Sequence, residues 1–210
     1  MLSFLKMRYS SQTRLAILGT MSDLHNQPVA YDLGCLRKVV ADLAPDLLCA
    51  EITMEAWERE DFARASLEVR EALAPIIAST DIVLVPVAPT PELYADFTPD
   101  SGWRRRLVRT FDRLLRWGQI QADDVQTVNG LWFGAFCHTV CWLTEMLWTT
   151  KDRAAWERQN QELAENIIRA VRRDGGRRLL VAVQCQRLHR LRSLLHTHED
   201  LFKIVAYQNL

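Results

Sequence analysis

The chain predicts an α/β fold: a mostly parallel central sheet flanked by helices, with a helical insert between strands three and four. Three observations lead there. Five short runs have strand length and aliphatic or β-branched content. Amphipathic stretches of helical period separate the first three. The alternation then breaks after Val87 and resumes only at DGGRR, residues 174–178.

The strand runs are LAIL (15–18), DLLCAEI (46–52), DIVLVPV (81–87), LLVAVQ (179–184) and FKIVAY (202–207). Several are apolar at consecutive positions, which implies burial on both faces, as in a parallel sheet covered by helices. Between the first two, PVAYDLGCLRKVVADL sets Leu33, Leu36, Val39, Val40 and Leu43 on one stripe. Ala44-Pro45 stops that helix, because the residue before a proline avoids the α region. EAWEREDFARASLEVREALAPII (55–77) carries charges at i,i+3 and i,i+4 and predicts one partly exposed helix. After strand three, APTPELYADFTPD (88–100) is punctuated by prolines and predicts a loop. Helical stretches follow at about 101–118, 129–150 and 152–173. Residues 1–210 thus predict a single α/β domain with a helical insert over about 88–150.

Composition narrows the function classes. Twenty-six basic residues balance twenty-six acidic ones, so no global field gathers nucleic acid or an anionic membrane. Basic residues are mostly arginine, which fits codon bias better than phosphate binding. The longest apolar stretch, LWFGAFCHTVCWLTEMLW (131–148), is interrupted by His138, Thr139, Thr144 and Glu145. It falls short of the ~20 residues a spanning helix needs. Its aromatics instead predict a helix over 129–150 buried within the chain or against a second copy, a route to a homo-oligomer. The opening MLSFLKMRYSSQTR is too charged for a secretory signal. Five cysteines set mostly in apolar runs fit reduced thiols packed as small hydrophobes, so a cytoplasmic location is expected. There is no Gly-rich phosphate loop, GxGxxG, GxSxG, HExxH or CxxC, which removes the usual nucleotide, serine-hydrolase and zincin readings.

Ligands of open α/β sheets bind beyond the carboxyl ends of the strands. That rule selects Ser22, Asp23 and His25 after strand one, Glu51 at the end of strand two, and Gln184 and Arg187 after strand four. Glu51 closes an almost wholly apolar strand, where an unpaired carboxylate costs several kcal/mol. It is either a general base or metal ligand, or the partner of an arginine, and the sequence leaves both open. Ser22 and Asp23 suit helix capping as well as a site. His138 and Glu145, seven positions apart, predict a buried pair between helices. His196 and His198 read as solvated, and Arg187, His189, Arg190 and Arg192 as a basic cluster at a helix start.

Three segments together carry a resemblance. RLAILGTMSDLHNQP, LRKVVADLAPDLLCAEI and WERQNQELAENIIRAVRRDGGRRLLVAVQCQRLHRLRSLL resemble, in order and spacing, units of the TraB, Tiki, erythromycin-esterase and ChaN-like superfamily. The match spans roughly the first 55 and last 60 residues. Glu51 stands at the family's strand-end glutamate, and Arg158 and Asn160 loosely match its arginine-asparagine helix. Ser22 and Arg187 occupy the places of the two family histidines, with His25 and His189 nearby, and Gln184 replaces the turn glycine. The resemblance implies a hydrolase of a small ester, lactone or peptide bond. Glu51 would act as general base, His25 as a second acid-base group or ligand, and Arg187 as an oxyanion or carboxylate clamp. Ser22, Asp23, Arg158, Asn160 and Gln184 would contact a small-molecule or peptide substrate, and a divalent metal is the cofactor left open. The alternative is a catalytically degenerate scaffold that binds a small ligand or a protein partner, with Trp132, Phe133, Phe136, Trp142 and Trp148 supplying apolar surface. Either way, Glu51, His25, Ser22, Asp23, Gln184 and Arg187 are expected in one pocket, with Arg187 offering Glu51 a two-point fork.

Overall fold

The computed structural model describes residues 12–63, 65–90 and 102–210. Most of the proline-punctuated loop lies outside them. Five strands form one sheet: β1 (Thr13–Thr20), β2 (Leu47–Ala50), β3 (Val83–Pro86), β4 (Arg178–Gln184) and β5 (Phe202–Val205). Their order is β3-β2-β4-β1-β5, and every pairing is parallel.

Consecutive apolar residues in the strands serve two cores, because successive side chains point to opposite faces. Ala16, Leu18, Leu180 and Ala182 join one core, while Leu15, Ile17, Leu179, Val181 and Val183 join the other. Leu36 and Val40 of α1 (Leu33–Leu43) cover the first face, together with residues of the insert. The second face is covered by α7 (Thr150–Arg173) and α8 (Cys185–His196), whose apolar stripes include Leu163, Ile167, Leu188 and Leu191.

Local chemistry explains the boundaries. Asp32 caps α1 by accepting from the Cys35 N–H at 2.7 Å. The helix ends at Ala44, which adopts a left-handed φ of 41° before Pro45. Arg178, at the start of β4, donates to the exposed carbonyls of Leu43 and Ala44. Asp46 accepts from the Arg178 N–H at 2.7 Å and so sets the register in which β2 and β4 begin.

The single helix expected over 55–77 is instead two. The first, α2 (Met54–Glu58), is short, and Glu60 turns the chain with a φ of 53°. After it come a π-turn at Val69–Leu73 and α3 (Ala74–Ser79). Pro75 has no N–H to return to the preceding turn, which accounts for the widened winding before it.

The insert is helical, as expected, in three pieces: α4 (Gly102–Ile120), α5 (Val125–Asn129) and α6 (Leu131–Leu147). The helix expected over 129–150 begins after a break at Gly130. It is also less buried than its composition suggested. Phe133, Cys137 and Val140 face the core, whereas Leu131 and Trp132 are 87% and 91% exposed. No helix among the described residues is long and apolar enough to cross a membrane.

Candidate functional site

The chain leaves β1 toward α1 on one face and leaves β4 directly into α8 on the other. A crevice opens between two such diverging connections at the carboxyl edge of the sheet. Thr20 and Gln184, the last residues of β1 and β4, pair there in register. Two polar assemblies surround this point, and they differ in kind.

The first is closed. Glu51, just past β2, places Oε1 2.9 Å from Arg187 Nε, and its Oε2 accepts from the Gln184 N–H at 3.2 Å. The Arg187 Nε–H is not aimed squarely at the carboxylate, so this contact is an ion pair by proximity more than an aligned hydrogen bond. The two-point fork does not form, because the other guanidinium nitrogens are taken. Nη1 donates to Asn160 Oδ1 at 3.1 Å and Nη2 to Gln159 Oε1 at 3.0 Å. Trp156 lies under the guanidinium, its ring centroid 4.3 Å from the central carbon. Asn160 is held in turn by donating to the Trp156 carbonyl at 2.7 Å. The side chains of Arg187 and Glu51 are only 6% and 11% exposed. Burial pushes the Glu51 carboxyl above its usual range, opposed by the Arg187 charge and the Gln184 N–H. The carboxylate also sits at the N-terminus of α8, where it offsets an arginine in the helix's first turn.

The second assembly is open. A cleft of about 260 Å³ runs along Ser22 and Asp23, crosses Gln184, Cys185 and Gln186, and meets Asp112, Arg116 and Gln119 of α4. Ser22 holds a left-handed φ of 53°, which turns the chain sharply out of β1. Arg116 Nε pairs with Asp112 at 3.1 Å, both half exposed, which leaves Asp23 as the carboxylate of the wall with no ion-pair partner among the described residues. An apolar cleft of about 300 Å³ shares Asp112 and Gln186 with it, and is lined by Phe111, Leu115, Val140, Trp148 and Trp156 among others.

Two expected site residues lie elsewhere. His25 is buried, but its Nε2 accepts from the Met21 N–H at 3.2 Å and its Nδ1 bonds the Tyr31 carbonyl at 3.0 Å. Those partners fix a neutral ring with the proton on Nδ1, and burial lowers its pKa further. His25 staples its own loop and lines neither cleft. Arg158 is exposed on the outer side of α7, near Arg190, while its neighbours Gln159 and Asn160 turn inward. His138 and Glu145 do not form a buried pair either. His138 is exposed and meets His189 at 3.8 Å between ring centroids, and Glu145 accepts from Trp156 Nε1 at 3.0 Å.

Residues without a signal in the sequence complete the edge. Glu68 is buried, accepts from the Thr20 hydroxyl at 2.7 Å, and among the described residues has no hydrogen-bond partner for Oε2. Burial pushes its carboxyl upward, favouring the neutral acid. Asn129 accepts from the Gly19 N–H at 2.6 Å and so ties the insert to β1. Among the described residues, no three His, Cys, Asp or Glu side chains converge as metal ligands. The donors present therefore do not fit the divalent metal left open by the sequence. Comparison with protein-family models, curated proteins and solved structures found no match to this chain.

Proposed function

We propose that the chain is a divergent TraB/Tiki-like scaffold that no longer hydrolyses a substrate and instead binds a small amphiphilic ligand at the carboxyl edge of its sheet. One observation carries this reading: the acid-base groups the resemblance implies are both occupied. Both Glu51 oxygens and both His25 nitrogens have protein partners, and neither residue lines the polar or the apolar cleft. A general base must reach the proton it removes, and a buried carboxylate held by an arginine and a backbone N–H is a poor candidate.

The clefts support binding. The polar one offers amide side chains, a hydroxyl and the carboxylate of Asp23, which suit an uncharged or cationic head group. The adjoining apolar one, walled by phenylalanine, leucine and tryptophan, suits an alkyl or aromatic tail. Binding through shape and a few convergent polar groups needs no reactive residue.

Three probes with one tail test this: octylamine, octyl glucoside and octanoate, each titrated below its micellar concentration. The amine and the glucoside are expected to raise the melting temperature and change tryptophan fluorescence through Trp148 and Trp156, while octanoate does not. Asp23→Asn should weaken the amine selectively. Hydrolysis of p-nitrophenyl octanoate should not exceed the rate given by Glu51→Gln. Turnover that vanishes in that variant, or equal response to all three heads, would overturn the reading.

A further inference from the structure

Two of the five cysteines, Cys137 and Cys185, are far apart in sequence and meet in space. Cys137 and Cys141 lie one turn apart on α6, so their side chains share a face. Cys185 is the first residue of α8, which packs against α6. The Cys137 thiol donates toward the Cys185 carbonyl at 3.6 Å, which sets its sulfur against the first residue of α8.

The three sulfurs are not equivalent. Cys185 Sγ accepts from the buried Gln119 amide at 3.0 Å and sits at the first residue of α8, beside the helix's free N–H groups. The Cys137 thiol foremost, then the Gln119 amide and the helix N–H groups, hold the Cys185 thiol below its usual range against the cost of burial. Cys137 moves the other way, pushed up first by the neighbouring Cys141 thiol, then by the Cys185 thiol and by burial. Cys185 is therefore the better thiolate, and Cys137 the thiol that keeps its proton. Cys185 is buried but lines the polar cleft, the side from which a small oxidant would approach it. Cys49 provides the contrast, since it is sealed in the core and its thiol is pushed up to about 12.

We propose that Cys185 and Cys137 form a peroxide-responsive dithiol in which Cys185 is oxidised first and Cys137 closes the disulfide. The Cys185 thiolate attacks hydrogen peroxide, the O–O bond breaks, and the departing hydroxide takes up a proton to become water. Cys185 is left as a sulfenic acid, oxidised by two electrons as the peroxide is reduced. Cys137 then loses its proton and attacks the Cys185 sulfur. The S–S bond forms, the S–O bond breaks, and the leaving hydroxide takes that proton as a second water. The bond ties the insert to the start of α8 and removes the thiolate that Gln119 holds, altering the floor of the polar cleft. This chemistry stands apart from ligand binding and does not depend on it.

The test treats the purified reduced protein with equimolar hydrogen peroxide and maps the products by peptide mass spectrometry. The wild type is expected to yield a Cys137–Cys185 disulfide that dithiothreitol reverses. Cys137→Ser should stop at a sulfenic acid that dimedone traps on Cys185, and Cys185→Ser should give neither product. Iodoacetamide labelling of the wild type against pH needs no variant, and the Cys185 rate should reach half its maximum below the ordinary thiol value of about 8.5. Oxidation of Cys35 or Cys141 ahead of Cys185, a disulfide that omits Cys185, or a labelling midpoint at or above the ordinary value would overturn the proposal.

Discussion

Two polar assemblies share one edge of the sheet and are built from the same kinds of residue, yet one is closed and the other open. Around Glu51, the polar groups are turned toward other protein groups: carboxylate to guanidinium and N–H, two guanidinium nitrogens to side-chain carbonyls, and the guanidinium plane to an indole face. Around Ser22 and Gln184, polar side chains line an open cleft. A crowd of polar residues after apolar strands therefore marks where a crevice can form, and saturation decides which part of it can receive a ligand. The closed assembly fixes the spacing of β2, β4, α7 and α8. The open one lies beside it, on a floor that this rigidity holds still.

The largest effect is expected from Glu51→Gln, which leaves Arg187 charged, buried and without its anion. Stability should fall by about 3–5 kcal/mol, read as a lower urea midpoint. The double change Glu51→Leu with Arg187→Met should recover most of that loss, because it removes both charges together. If the single change is nearly silent, the assembly is not closed in the sense described.

Gly19→Ala probes how tightly the two assemblies are joined. An added Cβ would lie 3.1 Å from Leu188 Cδ1, 3.2 Å from Cys185 Cβ and 3.3 Å from Asn129 Oδ1. Overpacking there should cost about 1–3 kcal/mol in thermal or chemical unfolding. Widening the β1–α8 approach should also weaken octylamine binding in the open cleft.

His25 gives a smaller effect that depends on pH. Its folded pKa lies below the unfolded value of 6.5, so the unfolded chain binds more protons as the solution is acidified. The stability contributed by the neutral ring is complete above that value and declines as pH falls below it. Unfolding curves between pH 7.5 and pH 5.5 should show this slope in the wild type and less of it in His25→Gln. An identical slope in both would place the titrating group elsewhere.

Arg158→Ala should be the smallest, within about 0.5 kcal/mol and without effect on any probe, because the side chain is exposed outside both assemblies. A loss of octylamine response in that variant would mean the ligand sits on the outer side of α7.

The sheet was legible because a parallel strand buried on both faces has a strong local signature, and the residues that close such strands mark the carboxyl edge. Glu51 was legible for the same reason: a carboxylate at the end of LLCA needs a partner, and Arg187 supplies it. Arg158 was misplaced by following a motif instead of the helix period. Gln159, Asn160, Leu163 and Ile167 form the inward stripe of α7, and Arg158 falls off it. The role of His25 could not be read locally, since both of its partners are backbone groups brought close only by the turn at Ser22. Glu68 and the meeting of Cys137 with Cys185 depend on packing between distant segments, which leaves no periodic trace in either one.

The position of β4 also bears on how the chain is made. It lies between β1 and β2, and Arg14 of β1 waits for Arg178 as its partner. During synthesis at about 5–20 residues per second, β1 and β2 emerge with no neighbour to hydrogen-bond across the gap between them. Their apolar flanks stay exposed until the segment Arg178–Gln184 has left the ribosome. Closure of the sheet is then a single late insertion of a central strand, a long-range step that slows folding and invites capture by chaperones.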